Sequence, residues 1–134
     1  MSEVVCPRKR VSENRRMSIL PRYAGKHFLT MERLIYTVMR EYCATYSGGS
    51  WTMWEIPGGF VMTPDLPGTL QMCHGENYYE GAMSADAAGI TACLIAFNRM
   101  AWHTREDRFS DLYHALREWA FDHPESAEIT RAID

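Results

Sequence analysis

The chain has 134 residues, 46% of them hydrophobic and 23% charged, with a formal net charge of −3 at pH 7. That length and apolar fraction suit one domain with one core, and no apolar run approaches the roughly 18 residues that a membrane span requires. The cysteines Cys6, Cys43, Cys73 and Cys93 form no C-x-x-C pair, and the opening MSEVVCPRKR has charge where a secretory leader has an apolar core, so reduced thiols in a soluble, cytoplasmic protein are expected.

Charge is uneven along the chain. Residues 1–22 carry six basic side chains against two acidic ones, +4, which leaves −7 on the remainder. Residues 1–18 are read as a basic, flexible N-terminal arm and residues 19–134 as a single domain. The segment SILPRYAGKHF mixes apolar residues with Pro21 and Gly25, which predicts an irregular stretch laid over the body. In TMERLIYTVMREYCATY, Leu34, Ile35, Val38, Met39, Tyr42 and Tyr46 fall at helical spacing, which predicts a helix over 31–46 with Thr30 as its cap and Glu32 in its first turn.

The period then shifts to that of strands. SWTMWEIPGGFVMTPD reads as a hairpin around Pro57-Gly58-Gly59, and TLQMCHGENYYEGAM as another around Gly75-Glu76-Asn77. Together they predict a small antiparallel sheet of three or four strands between residues 51 and 83, with Trp51, Trp54, Phe60, Tyr78 and Tyr79 available to cover it. The stretch GAMSADAAGI follows. Ser84 is placed to cap a buried helix over 85–102, with Asp86 in the first turn offsetting the positive end of the dipole. Ala85, Ala88, Gly89, Ala92 and Ala96 recur every three or four residues and give that helix a flat strip for close packing. The glycines lack the order that a phosphate cradle uses, so packing is favoured over a ligand pocket. Phe109, Leu112, Tyr113, Leu116 and Trp119 make the stripe of a third helix over 108–122. A short last helix follows, capped by Asp122 or His123, with Pro124 in its first turn and Ile129, Ala132 and Ile133 facing inward. The fold class is therefore α+β, a small antiparallel sheet packed with three main helices and a short C-terminal one.

Signs of catalysis are scarce, and no catalytic residue, metal ligand or cofactor is assigned. None of His27, His74, His103, His114 and His123 lies in H-E-x-x-H, and no Cys/His group has zinc spacing. Cys73 and His74 are neighbours that point to opposite faces of a strand, and Ser84 lacks the G-x-S-x-G elbow. A small enzyme built around Ser84 and His74 is the weakest of three readings.

Four blocks, LPRYAGKHF, GGSWTMWEIPGGFVMTP, GAMSADAAGITA and HPESAEITRAID, stand in the same order as in the antirestriction family of the KlcA and ArdB type, and the chain resembles that family from about Ile19 to Asp134. The resemblance implies a protein of bacterial mobile elements, not an enzyme, that inhibits type I restriction-modification of incoming DNA. Duplex DNA carries one negative charge per about 1.7 Å of axis, so a chain of net charge −3 falls far short of imitating it. A contact with the restriction enzyme, direct or indirect, is expected instead. The candidate contacts are Asp86, Asp111, Asp122, Glu125, Glu128 and Asp134, with the last helix taken as exposed and its carboxylates as dispensable for stability. The alternative is a nucleic-acid-binding accessory protein using RKR and NRR of the arm.

Overall fold

The computed structural model describes residues 6–76 and 78–134. Its elements run β1 (Lys9–Val11), α1 (Glu13–Ala24), a single 3-10 turn (Gly25–His27), α2 (Phe28–Tyr42), β2 (Trp51–Ile56), β3 (Gly59–Pro64), β4 (Thr69–His74), β5 (Tyr79–Ser84), α3 (Ala85–Thr104), α4 (Asp107–Ala120) and α5 (Ser126–Ile133). The fold is α+β with all strand pairs antiparallel, but the strands divide into two sheets, β1-β2-β3 and β4-β5, rather than forming one.

Residues 6–24 differ most from expectation, and residues 1–5 of the expected arm lie outside the described residues. Where a flexible arm was expected, Lys9, Arg10 and Val11 pair with Glu55, Trp54 and Met53, and Val11 is buried. An apolar residue preceded by two cations suits an edge strand, whose exposed side is charged and whose inner side packs. The supposedly irregular SILPRYAGKHF is mostly helix. Pro21 lies inside α1, where its ring withholds a hydrogen bond from the Met17 carbonyl, but Met17 is on the exposed side and the helix needs only one more turn. Gly25, at φ +58°, then ends it.

Helix α2 starts earlier than 31 and stops at Tyr42, short of 46. Thr30 lies within it, and His27 occupies the cap position without a side-chain capping bond. Its buried Met31, Ile35, Val38, Met39 and Tyr42 follow the expected periodicity. The turn between β2 and β3 is Pro57-Gly58. Proline presets the first dihedral and Gly58 takes φ +81°, as a type II turn requires. Strand β3 is buried along its whole length, since α3 and α4 both pack against it.

Helix α3 is the centre of the molecule, touching α2, α4, α5, β3, β4 and β5. Ser84 caps it as expected, its Oγ accepting from the Ala87 N–H at 3.1 Å, and Asp86 stands in the first turn. The strip of small residues is the surface of close packing. Ala88, Gly89, Ala92 and Ala96 are buried, and a β-carbon on Gly89 would lie 2.6 Å from the Met62 carbonyl oxygen and 2.7 Å from the Thr63 Cα of β3. Of the aromatics expected to cover the sheet, Phe60, Trp51 and Tyr79 are buried, Trp54 is partly so, and Tyr78 is 92% exposed. The last helix begins at Ser126, with Glu125 rather than Asp122 or His123 at the cap position and Pro124 in the turn before it.

Candidate functional site

The six carboxylates singled out from sequence separate into two groups. Asp86, Glu125 and Glu128 are joints within the molecule. Asp86 accepts from Arg8 at 2.7 Å and pairs with His123 Nε2 at 2.9 Å, so one side chain in the first turn of α3 holds the segment before β1 and the turn before α5. The His123 Nδ1 accepts the Glu125 backbone N–H at 3.0 Å, which leaves Nε2 as the donor to Asp86. Glu125 in turn accepts from the Ser84 backbone N–H at 2.9 Å and from the Ser84 hydroxyl. Glu128 accepts from the Tyr79 hydroxyl at 2.9 Å and from Arg131 at 2.6 Å, fastening α5 to β5. The view of the last helix as bearing dispensable exposed carboxylates therefore needs correction for two of them. In sequence they look solvated because their partners lie more than 40 residues away.

Burial opposes ionisation of Asp86, but the hydrogen bonds from His123 and Arg8 outweigh it and hold its pKa below the ordinary 3.8. A depressed carboxylate contributes stability that is full above its unfolded value and is lost as pH falls through the folded one. In a series of melting curves below about pH 4, Asp86→Asn should therefore show a shallower decline than the parent chain. Parallel declines would assign the acid sensitivity to other groups.

The other group faces solvent. Asp111 and Asp122 are exposed on and just beyond α4, and Asp134 is exposed after α5. No ion pair involves them among the described residues. Asp107 and Glu118, also exposed and unpaired, were missed. Steps of four, seven and four residues from Asp107 through Asp111 and Glu118 to Asp122 place all of them on one face of α4 and its continuation, a spacing legible in the sequence. Beside this acidic stripe lies a cleft of about 410 Å³ lined by Pro7, Pro57, Gly58, Ala115, Glu118, Trp119 and Asp122. Its wall is fixed from behind, since the Trp119 indole N–H donates to the Pro7 carbonyl at 2.8 Å. The arrangement offers apolar walls for the stem of a long cationic side chain and carboxylates for its head.

Neither His123 nor His74 is placed as a base toward Ser84. Both nitrogens of His123 are engaged by Asp86 and the Glu125 amide, so neither is left to take a proton from the Ser84 hydroxyl. His74 stacks on Tyr42 with ring centroids 4.5 Å apart, and its Nε2 lies 3.6 Å from Glu41. Among the described residues no group of three His, Cys, Asp or Glu side chains is placed to hold a metal ion, and no helix is long and apolar enough to cross a membrane. The cations of the N-terminal segment are partly spent on the body. Arg8 pairs with Asp86 and lies over the Trp54 ring at 4.2 Å, Arg15 is 3.9 Å from Glu55, and Arg16 bonds the Trp51 carbonyl and the Tyr36 hydroxyl.

Residues 44–134 match the family model described as Antirestriction protein. Two proteins of Escherichia coli named Antirestriction protein KlcA are 41% and 39% identical to the chain, the first over 93% of this chain and 91% of its own length, the second over 92% of each. A protein of Escherichia coli K12, the uncharacterized YafX, is 37% identical over 92% of this chain and 85% of its own. A solved structure superposes with a TM-score of 0.87 at 39% identity, covering 100% of both chains. It belongs to work on KlcA and ArdB, which reports a novel fold and antirestriction activity against Type I DNA restriction systems in vivo but not in vitro.

Proposed function

The chain belongs to the antirestriction protein family, and from that premise we propose that it protects incoming DNA from type I restriction enzymes as a non-enzymatic inhibitor, by a protein contact rather than by imitating DNA. What carries the reading is the match over nearly the whole chain to relatives named for antirestriction, joined to a solved structure whose activity is reported against Type I systems in cells. Two physical observations support the mechanism. The net charge of −3 is too small for a DNA mimic. The unpaired acidic stripe of α4 beside an apolar cleft fits a basic protein surface, where charges at the rim speed encounter and the cleft supplies the anchor. Activity of the solved relative in vivo but not in vitro fits a contact that requires a working state of the enzyme, or a further cellular component.

The test is the plating of unmodified phage on restricting cells that express the chain. Reversing Asp111, Glu118 and Asp122 to lysine should leave the melting temperature within a few degrees of the parent, since exposed substitutions cost about 0.5 kcal/mol or less each. It should also raise restriction at least about tenfold, toward its unprotected level, the effect of losing about 1.4 kcal/mol of contact energy. Full protection by the folded triple variant would remove α4 from the contact surface and leave Asp134 as the remaining unpaired candidate.

A further inference from the structure

A second groove lies away from the acidic stripe, between α2 and α3. It has a volume of about 450 Å³ and a mainly apolar lining, with Leu34 and Met100 flanked by Arg33, Arg99 and His103. Arg99 is held in a two-point bond by Glu41, at 3.1 and 2.8 Å, so its stem is fixed along the groove while Glu41 is neutralised. Arg33 and Arg40, seven residues apart and so on one face of α2, are exposed and make no ion pair among the described residues. This rim is cationic on a chain that is acidic as a whole.

Exposed apolar side chains stand beside it, and the Arg105 guanidinium lies 5.6 Å from the Trp102 ring centroid. Among the described residues five large apolar side chains stand exposed, and two of them flank this groove. Leu29, 48% exposed, precedes Arg33 by one turn of α2, and Trp102, 68% exposed, follows Arg99 by one turn of α3. A groove between two helices with an apolar floor is the shape that receives a third helix by its apolar stripe. The unpaired cations Arg33 and Arg40 along the α2 margin select for carboxylates on the flank of that stripe.

We infer that the α2–α3 groove docks an amphipathic acidic helix of a partner protein, its aliphatic side chains seated on Leu34, Met100 and Trp102 and its carboxylates against Arg33 and Arg40. Duplex DNA satisfies the rim but brings no apolar group to the floor, and a lipid surface needs a wider apolar face than one groove. The inference does not depend on the acidic α4 stripe, and the two are tested by different variants.

The experiment titrates the isotope-labelled full chain with a synthetic helix whose apolar face is leucine and whose polar face is glutamate. Controls are the same helix with every glutamate replaced by lysine, and a short DNA duplex. The acidic helix should shift the amide resonances of α2 and α3 around Leu34, Met100 and Trp102 and quench or shift the Trp102 fluorescence. Arg33→Glu with Arg40→Glu should weaken that binding at least about tenfold, and so should Trp102→Ala, with unchanged melting temperatures because all three side chains are exposed. Equal binding of the lysine helix, shifts confined to other elements, no response to the acidic helix, or displacement of the same resonances by DNA would each overturn the assignment. Protection in cells by the α4 variants is read separately and is unaffected by any of these results.

Discussion

Replacing Gly89 by leucine should destabilise the protein by about 3 kcal/mol or more, the upper end of the range for overpacking, and lower the thermal midpoint by about 10 °C. The reason is that nothing near Gly89 can give way. A β-carbon there would meet the Met62 carbonyl oxygen at 2.6 Å, the Thr63 Cα at 2.7 Å and the Pro64 ring at 2.9 Å, and two of these three are backbone of a strand buried along its whole length. A flexible side chain could swing aside, whereas β3 is paired to β2 on one edge and packed against both α3 and α4. Even Gly89→Ala should therefore be destabilising, despite the better helix propensity of alanine. Ala92→Leu, at a buried position of the same strip, should cost about 1 to 3 kcal/mol. Thermal melts of the three variants check the ranking, and a Gly89→Leu chain that melts with the parent would show that α3 does not rest on β3.

Glu125→Ala should cost about 2 to 3 kcal/mol, because a carboxylate that accepts two hydrogen bonds from one residue is removed and a backbone N–H at the start of α3 is left without its partner. Glu125→Gln keeps an acceptor and should cost less. Ser84→Ala loses the cap bond to Ala87 together with the hydroxyl's bond to Glu125, yet keeps the backbone bond, so about 1 to 2 kcal/mol is expected. A double-mutant cycle separates these terms. Ser84→Ala and Glu125→Ala should be coupled by about 1 kcal/mol, and strictly additive losses would mean that the two side chains do not act together.

These two positions also show what a sequence discloses and what it conceals. Ser84, Asp86 and the alanine-glycine strip were legible because capping, dipole and packing rules act over three or four residues, and each rule pointed to the same helix. Pro57-Gly58 was legible for the same reason. The pairing of Lys9–Val11 with Met53–Glu55 was not, since three residues carry no periodicity, and a cation-rich strand reads like a solvated tail until the edge it joins is known. Pro21 misled in the other direction, as a helix breaker tolerated one turn from the end of α1. Of the exposed acids on and just beyond α4, Asp111 and Asp122 were singled out from the sequence, and Asp107 and Glu118 were not. The division of the other carboxylates into joints depended on Arg8, Tyr79 and Ser84, partners distant along the chain and adjacent only after folding.

The joint at Asp86 bears on how the protein is made. Arg8 and His123 grip the same carboxylate from positions 115 residues apart, and Glu125 and Glu128 close over Ser84 and Tyr79 only when α5 exists. A nascent chain still in the ribosome can form the β2–β3 hairpin and the early helices, but the start of α3 lacks its bonds to His123 and Glu125 until the segment around α5 emerges. Chains truncated before Glu125 should be protease-sensitive, and synonymous slowing of the codons for the segment from His123 through α5 should prolong that vulnerable interval without altering the folded molecule.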